Sequence, residues 1–245
     1  MASNPPSSCC VTGFKHEGTS AGEFKVIDGV KTYIGTPKNP KKSDTAILYL
    51  SDVFGFFPNN ELLVDEFANN GYLTIFPDLF NGTQIGPDDL NNGNVNIMEW
   101  LGAHQPDVID PVVAKTIKYM RETLGVKRIA AVGYCFGARY VTRFMKAGQI
   151  DVGYHAHPTG TTHEELAGIE GPLSIAAAEI DPAFTTQLRH ESEETLTKTG
   201  QEWQINLFSG VKHGFAVRAD LSDSKQKWAK EQAFCQAVQW FDRHL

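Results

Sequence analysis

Basic charge, long apolar runs and cysteine are all scarce in this chain, and each scarcity narrows what it can do. Its 22 lysines and arginines are outnumbered by 29 aspartates and glutamates, for a formal net charge of −7 over 245 residues. Binding a phosphate backbone needs a basic footprint. The only dense basic stretch, "PKNPKKSD" at residues 37–44, reads as a short solvated turn, so nucleic acid is not an expected partner. No apolar run approaches the roughly 20 residues of a membrane-spanning helix. The opening "MASNPPSSCC" has neither a basic nor an apolar signal segment, which predicts a cytoplasmic protein. The cysteines are four, and a reducing compartment predicts free thiols. Cys9 and Cys10 are adjacent but have no second pair to complete a zinc site. They are read as part of an N-terminal segment packed on the body, and Cys235 as core or flank of the last helix. The prediction is no metal and no cofactor.

What is present is an alternation of strand and helix patterns. Residues 1–22 form an arm that leads into "EFKVIDGVKTYIGTP", where Asp28-Gly29 between two alternating runs signals a hairpin. "TAILYLSDVF" and "YLTIFPDLF" read as buried strands, with a helix between them whose apolar face is Leu62, Leu63, Phe67 and Ala68. Residues 81–105 are rich in Gly and Asn and predict a loop with a short helix, of the kind that covers a site. A helix follows, with Val113, Ile117, Met120 and Leu124 on one face. Then come the strand "KRIAAVGY", a helix from Phe136, the strands "DVGYHAHP" and "GPLSIAAAEIDP", a helix, the strand "EWQINLFSG" and a final helix striped by Phe234, Val238, Phe241 and Leu245. Such alternation predicts an α/β domain with a mostly parallel sheet covered on both faces, and the hairpin adds an antiparallel edge. No repeat or linker divides residues 1–245, so one domain is expected.

Sites in open parallel sheets lie at the carboxyl ends of strands. "GYCFG" at residues 133–137 leaves one such end and is the cysteine form of G-x-S-x-G, the tight strand-to-helix turn that presents a nucleophile. Side chains at its glycines would collide with the neighbouring strand or helix. The helix starting near Phe136 points its positive end at Cys135 and favours thiolate. Asp181 and His213 each follow a later strand, in the order nucleophile, acid, histidine of α/β-hydrolases. Cys135 is therefore the candidate nucleophile, with His213 as its base and Asp181 fixing the imidazole tautomer.

With "SDVFG" upstream, the segments "GYCFG", "AEID" and "HGFAVR" resemble the dienelactone hydrolase (carboxymethylenebutenolidase) family, and most closely its fungal cytosolic branch. The resemblance runs from about Lys31 to near the end. It implies a compact α/β-hydrolase fold without a large cap, and the roles just given for Cys135, His213 and Asp181. It also implies a carboxylate that interacts with the resting nucleophile. Asp52 stands at that position, one methylene shorter than the usual glutamate, and its alternative role is to cap the following turn. The N–H groups of Val53 and Phe136 are the expected oxyanion hole.

The family's two substrate-gripping arginines are not both matched. "PDLFNGT" carries none, and Val217 intervenes before Arg218, which is read either as an anion clamp or as a surface salt bridge. Fewer fixed cations point to a broader or less acidic range of esters or lactones than the family's namesake. Phe54, Phe80, Trp100 and Phe215 are candidate pocket residues, alongside core packing as their other reading. His155 and His157, two apart on a strand, are expected to share a face, with one of them a polar residue near the strand end that lines the pocket rather than the two holding a metal. The expectation is thus a hydrolase of a small ester or lactone, monomeric or homodimeric. The alternative is a carbonyl-binding or regulatory protein of low turnover on the same fold.

Overall fold

A computed structural model describes residues 1–6, 16–86, 89 and 95–245. The arm's Cys9 and Cys10 lie outside the described residues. The described strands are β1 (Glu23–Ile27), β2 (Val30–Gly35), β3 (Thr45–Leu50), β4 (Leu73–Pro77), β5 (Arg128–Tyr134), β6 (Val152–Ala156), β7 (Leu173–Ile180) and β8 (Trp203–Lys212). They form one eight-stranded sheet in the order β1-β2-β4-β3-β5-β6-β7-β8. The β1–β2 hairpin and its junction with β4 are antiparallel, and every other pairing is parallel. This is the predicted α/β class.

The helices are α1 (Pro58–Asn69), α2 (Ile97–Ala103), α3 (Pro106–Glu122), α4 (Phe136–Phe144), α5 (His163–Ala167), α6 (Thr186–Thr197), α7 (Phe215–Arg218) and α8 (Ser224–His244). Two hydrophobic clusters flank the sheet. One joins Ile109, Val113, Ile117 and Met120 of α3 to Tyr140, Val141 and Phe144 of α4. The other joins Leu63, Val64 and Phe67 of α1 to Ala233, Val238 and Phe241 of α8. Both faces of the central strands are thereby dry, and β3 is buried along its whole length. Leu124 departs from its predicted stripe: α3 ends at Glu122, so Leu124 leaves the helical repeat and is 36% exposed. Two short helices, α5 and α7, were not expected, because five and four residues carry too little periodicity to read.

The chain goes from β3 outward to β4 on one side, then crosses back to β5 on the other. Such a reversal opens a crevice at the carboxyl ends of the two inner strands. Leu50 of β3 pairs with Gly133 of β5 at that end, so the segments leaving these strands emerge side by side. They are the segments that carry Asp52-Val53 and Cys135-Phe136.

Candidate active site

Cys135 sits at the junction of β5 and α4 with φ 52° and ψ −107°. A positive φ at a non-glycine residue costs of order 1–3 kcal/mol and persists only where the surroundings impose it. Here the two glycines allow the surroundings to close in. A Cβ on Gly133 would lie 2.7 Å from Val141 and 2.8 Å from the Ala138 backbone. One on Gly137 would lie 2.1 Å from the Leu50 carbonyl oxygen. The turn is bonded on both sides: Cys135 N–H donates to Ala156 O (3.2 Å) and Gly137 N–H to Ser51 O (3.0 Å). Cys135 itself is fully buried at the start of α4, where the helix dipole favours negative charge on its sulfur.

His213 and Asp181 arrive through the pairing of β7 with β8. Ala178 pairs with Phe208, but Ile180 pairs with Lys212, so β8 takes up two extra residues across an irregularity. Gly210 lies in this stretch with φ +70° and donates its N–H to Glu179 Oε2 (2.5 Å). The in-step register would set Asp181 opposite Val211; the bulge sets it opposite His213. His213 Nδ1–H donates to both Asp181 oxygens, at 3.0 and 2.9 Å. Asp181 Oδ1 also accepts the N–H groups of Ala183 (2.8 Å) and Phe184 (3.1 Å), which hold the carboxylate in place.

Burial alone would push the His213 imidazole down. The negative charge of the Cys135 sulfur and then the Asp181 carboxylate outweigh it and hold His213 up at about 10. With Nδ1 engaged by Asp181, the buried Nε2, which makes no hydrogen bond among the described residues, is the ring nitrogen left for proton exchange with the Cys135 sulfur. The three side chains thus meet at one place although 78 residues separate the cysteine from the histidine.

Val53 and Phe136 lie at the two strand exits next to the sulfur. Their N–H groups make no hydrogen bond to a described acceptor, whereas the neighbouring Phe54, Gly55, Gly137 and Ala138 N–H groups are all engaged. Thr159, which the motifs did not single out, places Oγ1 4.0 Å from the Cys135 sulfur and donates its N–H to Cys135 O (3.1 Å). A lone threonine in a loop carries no sequence signal for such a place.

Asp52 is fully buried and accepts from Asn60 Nδ2 (2.9 Å) and from Phe54 N–H (3.3 Å), so it does cap the turn that follows it. Its other oxygen accepts from the Arg218 guanidinium. Arg218 is 4% exposed and stacks 4.9 Å from the Phe54 ring centroid. The surface salt bridge offered as one reading of Arg218 is therefore replaced by a buried ion pair, because α7 folds back under the loop after β3.

His155 and His157 do not share a face. His157 follows the end of β6 with φ 39°, which breaks the strand alternation. Its ring packs on His213 (4.9 Å between centroids), Phe215 (5.8 Å) and Tyr134 (6.1 Å). His155 remains in the strand between Gly133 and Ile175. Both rings are buried and no nitrogen of either finds a hydrogen-bond partner. Burial therefore pushes His155 down to about 3 and, with the charges of His213 and Arg218, drives His157 well below its ordinary value. Among the described residues, no group of three or more His, Cys, Asp or Glu side chains is placed to hold a metal.

The aromatic candidates divide. Phe80 and Trp100 (centroids 5.0 Å apart) pack on Phe136 at 5.2 and 5.6 Å and line a cavity of about 860 Å³ between the exit of β4, α2 and α3. Its described lining does not include Cys135, Asp181 or His213. A smaller cavity of about 130 Å³, lined by Phe136, Thr159, Gly160 and the arm's Pro5 and Pro6, lies beside the cysteine turn. Phe54 and Phe215 pack instead behind the site, on Arg218 and on His157. Cys235, on α8, is exposed.

The profile of the dienelactone hydrolase family matches residues 30–245, most of the chain and every element of the site. The protein belongs to the dienelactone hydrolase family. Curated relatives agree in length as well as sequence. Hydrolase pyvD of Aspergillus violaceofuscus is 47% identical over 246 residues, covering 100% of this chain and 99% of the relative. Hydrolase tropI of Talaromyces stipitatus is 41% identical over 255 residues with the same coverage. The human carboxymethylenebutenolidase homolog is 27% identical over 252 residues, covering 100% of both chains. Among solved structures, a putative dienelactone hydrolase from Klebsiella pneumoniae superposes with a TM-score of 0.73 at 15% identity, covering 91% of this chain and 98% of that one. Family membership supports a hydrolase acting on small esters or lactones. No described helix is long and apolar enough to cross a membrane.

Proposed function

We propose that this dienelactone hydrolase family member cleaves a small ester or lactone by attack of Cys135, through an acyl-cysteine intermediate. The observation that carries the reading is the charge arrangement around His213: Asp181 on Nδ1, and the Cys135 sulfur raising the imidazole pKa. That pairing favours an imidazolium beside a thiolate, the reactive form of a cysteine nucleophile. The sulfur adds to the carbonyl carbon, and the new oxyanion takes the N–H groups of Val53 and Phe136. Collapse expels the alkoxide, which takes the proton from His213 Nε2. His213 then accepts a proton from water as the water attacks the acyl-cysteine, and the thiolate leaves again. Asp181 stays ionised and keeps the proton on Nδ1 throughout.

The Arg218–Asp52 pair bears on the substrate. An anionic substrate group reaching Arg218 would compete with a buried carboxylate already seated there. This favours an ester or lactone with little negative charge near the scissile bond. Phe80, Trp100 and Phe136 offer an apolar aromatic wall for the larger part of such a substrate. Turnover of p-nitrophenyl acetate by wild type, Cys135→Ala and His213→Ala tests the reading. Activity in the wild type and a loss of about 10³-fold or more in each variant is expected. Equal activity of all three proteins, or equal inertness across a panel of esters and lactones, overturns it.

A further inference from the structure

We propose that Ser3 and Asn4, in the N-terminal arm, are positioning residues of the active site. The strands β6 and β7 stop pairing early: their last rung is Ala156 with Ala176, followed by His157 N–H to Ala176 O (2.9 Å). Beyond it, β7 continues to Ile180 and delivers Asp181, while the chain after β6 turns away with Thr159 against the cysteine. Among the described residues no hydrogen bond joins residues 158–162 directly to residues 181–184. The direct bonds between these two segments lie farther on, from His163 of α5 to Thr195 (3.1 Å) and Glu191 (3.3 Å) of α6, so at the level of Thr159 and Asp181 the alignment of the two loops depends on what bridges them there.

The arm bridges them. On one side Ala2 and Ser3 donate their N–H groups to Thr161 O (2.8 and 3.0 Å), Thr161 N–H donates to Ser3 Oγ (3.0 Å), and Gly160 N–H donates to Asn4 O (2.7 Å). On the other side Asn4 N–H donates to Ala183 O (2.6 Å) and Asn4 Nδ2 to Pro182 O (2.8 Å). Ala2 O also accepts from Ser192 Oγ (3.3 Å) on α6. Asp181, Pro182 and Ala183 are thus each held. The Asp181 carboxylate is fixed by the N–H groups of Ala183 and Phe184, and the two following carbonyls are fixed by Asn4. Ser3 is fully buried, so its hydroxyl satisfies a Thr161 N–H that water cannot reach. The arm takes the place of the strand pairing that the sheet lacks here. In doing so it sets the distance between the Thr159 side of the sulfur and the Asp181 side of the imidazole.

A loose acid loop lets the imidazole tilt, and an error of about 1 Å in such alignment can cost on the order of 10²-fold in rate. A single hydrogen bond among several has a smaller share, so about three- to tenfold in kcat is expected for Asn4→Ala or Ser3→Ala, with KM within about twofold. Two readouts test this on the full-length protein. One is kcat and KM on p-nitrophenyl acetate. The other is solvent exchange of the His213 Nδ1 proton by NMR, which depends on the bond to Asp181 and not on turnover. Faster exchange in both variants, with kcat lowered and Asn4→Gln recovering part of it, supports the proposal. Unchanged exchange and unchanged kcat overturn it, as does a lowered melting temperature with both readouts at wild-type values. Asn4 is exposed, so its replacement leaves the core intact and the test remains readable. The kinetic readout rests on the proposed hydrolase reading, whereas the exchange readout does not. A wild type inert on every ester, with exchange still accelerated in Asn4→Ala, would remove the hydrolase reading and keep the arm's role.

Discussion

Substituting Gly137 by alanine adds one methyl group, and the structure says where it must go. The new Cβ would lie 2.1 Å from the Leu50 carbonyl oxygen, 2.4 Å from its carbon and 2.7 Å from Ser51 O, where ordinary contact begins at 3.4 Å. These are backbone atoms of the last residue of β3 and of the residue that follows it; β3 is buried along its length between β4 and β5, so they cannot give way. The helix must therefore retreat by about an ångström, because no rotamer relieves a Cβ clash. Its first turn carries Phe136 N–H and is continuous with the strained Cys135, so the sulfur and one oxyanion donor shift together. Overpacking of this kind costs about 1–3 kcal/mol of stability, or roughly 2–12 °C in melting temperature for a chain of this size. The misplacement predicts a loss of about 10²-fold in kcat/KM. Steady-state hydrolysis of p-nitrophenyl acetate, with thermal melting as the control, measures both. A Gly137→Ala protein with kcat/KM within threefold of wild type and an unchanged melting temperature would refute the argument. It would mean that the close packing of α4 on β3 does not set the nucleophile's position.

Asp181→Asn retains the acceptors for Ala183 and Phe184 but frees the imidazole to adopt the wrong tautomer. A fall of about 10³–10⁴ in kcat with little change in melting temperature is expected. Asp52→Ala strips the Arg218 guanidinium of a buried carboxylate partner and should cost about 3–5 kcal/mol in denaturant unfolding; a loss below 1 kcal/mol would show that the pair is dispensable. His155 is held near 3 when folded and titrates near 6.5 when unfolded, so the unfolded chain takes up the proton first as pH falls. Stability is therefore lost below pH 6.5 at about 1.4 kcal/mol per unit. His155→Leu should unfold at the same or higher denaturant concentration than wild type at pH 7, and its advantage should widen by about 2 kcal/mol at pH 5. Parallel pH dependence of the two proteins would contradict the buried, neutral assignment.

The parts of this protein legible without coordinates are those whose physics is local. Alternating strand and helix patterns specify a covered parallel sheet, because runs such as "TAILYL" have no polar face to offer water. The pair of glycines around Cys135 specifies a close approach, and the collisions that a Cβ would meet there have the cause expected of them. The helix α5 was legible in principle: Thr162 and Glu165 form a capping box with both reciprocal bonds. Only five residues follow the cap, too few for a helical period to show.

Other features depend on where distant segments come to rest. The buried pairing of Asp52 with Arg218 joins residues 166 apart. It emerges only when α7 folds beneath the loop after β3, and no spacing rule links the two. The left-handed backbone at His157 turned an apparent strand pair of histidines into one ring against the site and one within the sheet. The arm's hold on the loops after β6 and β7 is made largely by backbone groups, which every residue possesses and which leave no mark on composition.

Residue order alone determined the α/β layering, the turn that carries the cysteine and the succession of cysteine, aspartate and histidine at strand exits, since each follows from local periodicity and sterics. The meeting of His213 with Asp181 was decided by the tertiary structure. Two extra residues in β8 bring His213 opposite Asp181 where the in-step register would have placed Val211. That register is settled by how strands pair across the sheet, which no local stretch of chain can encode by itself.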